Sequence, residues 1–257
     1  MEATYKQTAK EARLKILDLI FNAQTSHIGS NFSCIDLMTV LFQKIDLDKD
    51  RIVLSAGWKA ATLYFFLWKK GRITEEQLNS YCKEGSPFIG LAEPMHPDIP
   101  VAGGSMGLGL PMAVGLALAK KIKKEAGTIY VLMSDGEMDI GTTWESALIA
   151  SQNNLDNLVV ILDNNGFQAM GKKDNILTVN IASLFSGWNK AGVDGHSFEA
   201  ISNLMTGHFM GFTGPKLIDA KTIKGKGVSF MEGNNIWHYK APNEDEYIKA
   251  KKELCQI

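Results

Sequence analysis

Cysteine is scarce in this chain: Cys34, Cys82 and Cys255 are the only three in 257 residues. Three scattered thiols make neither a disulfide framework nor a zinc site, and they fit a reducing compartment. No apolar run approaches the length of a membrane span. The opening residues, MEATYKQTAKEARLK, lack the apolar core of a secretory signal. The expectation is a cytoplasmic protein with no membrane partner. An excess of either charge is also missing. Lys+Arg total 27 against 28 Asp+Glu, a net charge of -1, so no nucleic acid is expected as partner. Repeats and low-complexity linkers are absent too. The length allows one large domain or two small ones, and a single domain over 1–257 is expected.

What is present is a set of helices followed by alternating strands and helices. Residues 9–23 place Ala12, Leu14, Ile16, Leu17, Leu19 and Ile20 at helical spacing. A second helix is expected over 33–43, with Ser33 and Asp36 at capping-box positions. Others are expected over 60–70 and over 111–125, the latter Lys-rich at its end, as the helix dipole favours. Residues 128–133, 158–162 and 216–221 read as buried strands. Between the first two strands lies a helix over 142–153, with Thr142 and Glu145 at capping-box spacing. Trp144, Ala147, Leu148 and Ser151 recur along it with a period near 3.6. A crossover of this length makes its strands parallel. The fold class is therefore α/β, in three layers, with a mostly parallel central sheet. The charged residues from 243 onward read as a helical surface or interface element.

Two acidic–glycine turns stand at the ends of those strands: Ser134-Asp135-Gly136-Glu137 and Asp163-Asn164-Asn165-Gly166. Ligands of open α/β sheets bind beyond the carboxyl ends of the strands. A carboxylate and an amide oxygen are hard ligands, suited with a backbone carbonyl and diphosphate oxygens to an octahedral Mg²⁺. The loop from Asp139 to Gly141 feeds a helix N-terminus, a natural seat for a diphosphate.

The run SDGEMDIGTTWESALIASQNNLDNLVVILDNNGFQAMG resembles the thiamine diphosphate motif of transketolases. Four further blocks agree in the same order: SHIGSNFSCIDLMTVLF, DRIVLSAGWKAATLY, GGSMGLGLPMAVGLALA and TIKGKGVSFMEGNNIWHYKAP. The resemblance implies a thiamine-diphosphate-binding fold. It implies Mg²⁺ (Ca²⁺ able to substitute) held by Asp135, Asn165 and the carbonyl of Phe167, with Asp163 orienting Asn165. Gly104, Ser105 and Met106 would lie against the cofactor, as would Gly136, Glu137 and Trp58. His27 and His238 would touch diphosphate and substrate hydroxyls, and both residue types suit proton transfer near neutrality. Lys224 is open between a phosphate contact and a solvated loop.

The departures from the family bear on the substrate. Trp58 stands where the family has the His of Gly-His. For a second family His, two alignments are open: an ungapped one puts Leu91 there, and a gapped one puts His96 there. Ser134 replaces a Gly, and Ile140 replaces a Glu that many relatives carry; Glu145 matches another residue of the same charge network. A pocket with Trp58, and Leu91 if ungapped, suits a less hydroxylated donor such as pyruvate, alongside ordinary two-carbon transfer between sugars. The resemblance covers only the family's first domain. It implies a partner subunit bearing the pyrimidine domain, in an α2β2 heterotetramer. Three readings follow: a catalytic subunit of a two-component transketolase active in carbohydrate metabolism, an acetyl-transferring relative, or a non-catalytic regulatory subunit.

Overall fold

A computed structural model describes residues 2–208 and 211–256. Five strands form one wholly parallel sheet: β1 (Arg51–Leu54), β2 (Ile129–Ser134), β3 (Leu158–Asn164), β6 (Asn189–Asp194) and β7 (Lys216–Lys221), in the order β1-β2-β3-β7-β6. A small antiparallel hairpin, β4 (Phe167–Gln168) with β5 (Gly171–Lys172), follows β3. The helices are α1 (Glu2–Ala23), α2 (Ile28–Ser33), α3 (Ile35–Lys44), α4 (Ala60–Lys69), α5 (Glu75–Asn79), α6 (Gly109–Lys123), α7 (Gly141–Gln152), α8 (Ile181–Leu184), α9 (Phe198–Asn203) and α10 (Glu244–Gln256). Among the described residues no helix is long and apolar enough to cross a membrane.

Strand side chains alternate between two separate cores, which is what a sheet covered on both faces requires. Ile52, Leu54, Leu132, Val159, Ile161 and Ile218 join the core shared with α1, α3 and α4. Val53, Val131, Met133, Val160, Leu162 and Leu217 join the core shared with α6 and α7. The three expected layers are therefore present. Register pairs Ser134 with Asp163, so the turns after β2 and β3 emerge side by side.

Two expected helix starts are corrected. Ser33 ends α2 instead of opening a helix; its hydroxyl donates to Ser30 O at 2.9 Å and to Asp163 Oδ2 at 2.5 Å. Asp36 is drawn into a buried ion pair with Arg13, and His196 Nδ1 lies 2.8 Å from the same carboxylate. The α7 start carries no side-chain cap, because Thr142 Oγ1 donates to Gly107 O at 2.7 Å and Glu145 is exposed. The capping box lies one turn earlier, with Ser134 and Glu137 around a 3₁₀ turn at Asp135–Asp139. The buried stripe of α7 is Thr143, Ala147 and Ala150, while Trp144 and Leu148 face outward. Small residues won that face because α6 and the sheet leave little room there.

The turn after β1 and the long connection between α5 and α6 are laced together through glycine. Gly57 N donates to Gly103 O at 2.9 Å, Ala92 N to Gly57 O at 3.0 Å, and Gly103 N to Ala92 O at 3.2 Å. A Cβ on Gly103 would fall 1.9 Å from Leu54 O, and one on Gly57 would fall 2.3 Å from Gly103 C. Both obstacles are backbone. Gly103→Ala should therefore lower stability by about 1–3 kcal/mol, read as an earlier urea midpoint; an unchanged midpoint would show that the loops can part.

Candidate active site

The turns after β2 and β3 open onto a cleft of about 270 Å³. Of the residues expected at the site, His27, Trp58, Gly104, Met106, Gly136, Asn165, Phe167 and His238 all line it. Asp135 lies behind Asn165, lining an adjoining hollow that Asn165 shares. A wider hollow of about 950 Å³, beside Arg13, Asp36 and His196, holds none of these residues.

Asp135 is fully buried. Its Oδ2 accepts from Gly166 N at 2.6 Å, while its Oδ1 has no hydrogen-bond partner. A buried carboxylate oxygen without a partner is costly. Burial first, and the neighbouring Asp163 second, push Asp135 up to about 6. A cation at Oδ1 would answer both the missing partner and the repulsion, so the donor set fits a hard divalent ion. Asn165 sits beside it, its Oδ1 accepting from Phe167 N at 3.1 Å.

Beside them lies an ion pair that the sequence did not reveal, its lysine also lining the cleft. Lys59 and Asp163 are both fully buried and bonded to each other. Asp163 also accepts from Ser33, Thr222 and, at 3.4 Å, the amide nitrogen of Asn165. The orienting role expected of Asp163 thus has its contact. Burial is the largest influence and opposes charge on Lys59, but Asp163, through its charge and its hydrogen bond, together with Cys34 and Asp135, outweighs it and holds the lysine above its usual range. The one available signal was a lone lysine in SAGWKAA, a stretch otherwise small and apolar.

The two histidines meet. His27 N donates to His238 O at 2.8 Å, and the rings lie 5.0 Å apart edge to face. His27 has a left-handed backbone, φ 73°, held by that bond and by Asn31, whose N and Nδ2 both donate to His27 O at 3.0 Å. Lys224 is not a solvated loop residue: it is 1 % exposed and donates to His238 Nδ1 at 2.9 Å and to Asn235 Oδ1 at 2.7 Å. Burial and then Lys224 hold His27 at about 4 and His238 at about 3. Burial, with Lys59 nearby, brings Lys224 down to about 8. Titration of the histidines near neutrality is thus corrected. Both are neutral at pH 7, and with Lys224 donating to Nδ1, His238 offers an N–H at Nε2.

Three other expectations change. His96 is elsewhere, in a surface hollow with Arg72 and Asp98, its Nε2 3.1 Å from Arg72 O. Leu91 lines the cleft instead, its Cδ1 3.3 Å from where a Gly104 Cβ would stand, which favours the ungapped alignment. Ser105 is exposed and does not line the cleft. Glu137 is fully buried and bonded to Ser55, to Ser134 N at 2.9 Å and to Gly107 N at 3.4 Å. Its carboxylate is a clasp on the glycine-rich loop, spent before any ligand arrives.

The chain as a whole is similar to known proteins. The family model described as "Transketolase, thiamine diphosphate binding domain" matches residues 4–256. The chain belongs to the transketolase family. It is 32 % identical to an apulose-4-phosphate transketolase subunit of Phocaeicola vulgatus, over 98 % of this chain and 94 % of that one. It is 31 % identical to a 6-deoxy-6-sulfo-D-fructose transketolase subunit of a Clostridium species, over 96 % and 94 %. The crystal structure of Campylobacter jejuni transketolase superposes with a TM-score of 0.90 at 27 % identity, over 98 % of this chain and 43 % of that one. The chain thus spans nearly all of the transketolase subunits and less than half of the full-length enzyme.

The strained protonation of Asp135 has a measurable consequence. Its folded pKa lies above its unfolded one, so the ligand-free fold is favoured at low pH and loses that advantage as pH rises from about 4 to about 6. Asp135→Asn should stabilise the ligand-free chain by up to about 3 kcal/mol above pH 6, and by nothing below about pH 4. Denaturant melts across that range check it; a pH-independent difference would show that Asp135 is not held protonated.

Proposed function

We propose that this chain is the catalytic, cofactor-binding subunit of a two-component transketolase, transferring a two-carbon unit to an aldehyde or sugar acceptor in the cytoplasm. The observation that carries it is the unpartnered buried Oδ1 of Asp135 beside Asn165, at the strand ends of a chain whose family match is a thiamine diphosphate binding domain. Asp135, Asn165 and the Phe167 carbonyl would hold Mg²⁺, for which Ca²⁺ could substitute. Thiamine diphosphate, when bound, supplies the nucleophilic carbon of the transfer.

This chain's own residues bind and orient. Lys224 brings positive charge to the diphosphate side of the cleft, next to the neutral His238. His27 and His238 present ring nitrogens to a diphosphate or to donor hydroxyls. An anion there would raise both histidines toward neutrality and let them share protons with the substrate. Gly104, Met106 and Gly136 offer a close backbone surface, with Leu91 packed beside Gly104, and Trp58 and Leu91 add apolar lining that excludes water.

The partner is proposed as a pyrimidine-domain subunit, in an α2β2 assembly. Two relatives of matching extent are themselves named as subunits of apulose-4-phosphate transketolases, not as whole enzymes. Apolar side chains at the cleft stand exposed, Met170 at 79 % and Tyr239 at 65 %. Such a rim is what a covering subunit would bury. The intact cation pair argues against a purely regulatory role.

A second reading concerns the donor. Trp58 and Leu91 both face the cleft where polar groups were expected from the family. A donor hydroxyl buried there without a partner costs about 1–3 kcal/mol, whereas a methyl costs little. A pyruvate-like donor with acetyl transfer is therefore the alternative to a ketose.

Asp135→Ala should abolish Mg²⁺-dependent thiamine diphosphate binding in calorimetry while the fold persists; unchanged affinity would remove Asp135 from the site. Trp58→His, in the enzyme reconstituted with its partner, should shift use toward a hydroxylated ketose over pyruvate by roughly tenfold. If the wild type already prefers a ketose and the variant is merely slower, the apolar-donor reading fails.

A further inference from the structure

We propose that Lys59 is a positioning residue for the cation seat: it holds Asp163 out of the seat and so fixes the Asn165 amide that faces it. The inference rests on the reading that Asp135 and Asn165 take a divalent cation with a diphosphate. Asp163 is a neighbour that could compete. Its strand residue pairs with Ser134, one position before Asp135, and it precedes Asn165 by two. What prevents competition is occupancy. Asp163 Oδ2 receives Lys59 Nζ, Ser33 Oγ at 2.5 Å and Asn165 Nδ2 at 3.4 Å, while Oδ1 receives Thr222 Oγ1. Four donors leave that carboxylate little room for a metal.

The same contacts set the direction of Asn165. Its nitrogen is pinned on Asp163 and its Oδ1 points to the Phe167 side, so the oxygen is the end left to meet a cation. Only Lys59 among the four donors carries charge. Ser33 and Thr222 can complete the hydrogen bonding but cannot balance a second carboxylate beside Asp135. Without Lys59 the cluster holds two neighbouring carboxylates whose remaining partners are all neutral donors, and Asp163 is released toward any divalent ion. A small octahedral ion tolerates such a change of ligand poorly.

The test uses the 257-residue chain with Mn²⁺ as probe, read by electron paramagnetic resonance with millimolar thiamine diphosphate present. Lys59→Met should raise the Mn²⁺ half-saturation concentration at least tenfold, and Lys59→Arg should stay within threefold of wild type. A purely structural ion pair predicts that Lys59→Met combined with Asp163→Asn, which still lacks the pair, keeps that Mn²⁺ defect. On our inference the double variant has no carboxylate left to compete and returns to within threefold of wild type. Should Lys59→Met fail to fold, the double variant decides. Wild-type half-saturation in Lys59→Met, or a double variant at least tenfold weaker than wild type, overturns the role of Lys59, as does an arginine variant no better than methionine. A wild-type chain whose Mn²⁺ binding is indifferent to thiamine diphosphate defeats the cofactor reading itself.

Discussion

The buried carboxylate of Asp163 is the constraint on which the site depends. It stands near the end of β3 and gathers Ser33 from the end of α2, Lys59 from the turn into α4, and Thr222 from just beyond β7. Segments far apart in sequence are thereby fixed to one point at the carboxyl edge of the sheet. Burying such a pair brings little net stability, because desolvation of both ions offsets their attraction. Its value is positional. A single charge, matched by one lysine and two hydroxyls, fixes where the cleft walls stand.

Glu137 does the same for the opposite wall. Ser55, Ser134 and Gly107 all donate to it, so β1's exit, β2's exit and the glycine-rich loop share one carboxylate. Gly107, at φ 79°, has no space for a side chain: a Cβ would lie 2.4 Å from Ile140 Cγ2. Ile140 is thus packing against the loop, at a position where the family resemblance implies a charge. Both acidic residues that look most like chemistry in the motifs, Glu137 and Asp163, are consumed by structure. Of the three, Asp135 is the one with an oxygen to spare.

Three of the five strands were legible because they are short apolar runs at crossover spacing, and 216–221 coincides with β7; β1 and β6 were not expected, the latter because NKAGVD at the sheet edge is only half apolar. The motif residues were legible as a set, since eight of them converge on one cleft. What was not legible depends on partners that sequence spacing cannot name. Capping boxes were assigned from i, i+3 spacing alone, yet Thr142 prefers Gly107 O, and Ser33 prefers Asp163 across 130 residues. Helical periodicity located α7 but chose the wrong face, because Trp144 and Leu148 point away from the sheet. His96 was a candidate only through a gapped alignment; its hydrogen bond to Arg72 O belongs to a different hollow. Lys59 was invisible because its buried partner, Asp163, lies 104 residues away.

Charge balance explains why the site is arranged to wait for its ligand. Asp135 is pushed up to about 6, while Lys224 is brought down to about 8 and the two histidines to about 4 and about 3. Each group is held away from its charged form by burial. On the proposed function, a divalent cation would supply what Asp135 Oδ1 lacks, and a diphosphate would favour the charged forms of Lys224, His27 and His238. The two ligands would then help one another through the protein, and together they would add little net charge to a buried place. Lys224 and His238 are bonded to each other without a ligand, whereas Asp135 Oδ1 is left unpartnered. The ligand-free fold carries the cost of these desolvated groups, and binding of the pair would release it.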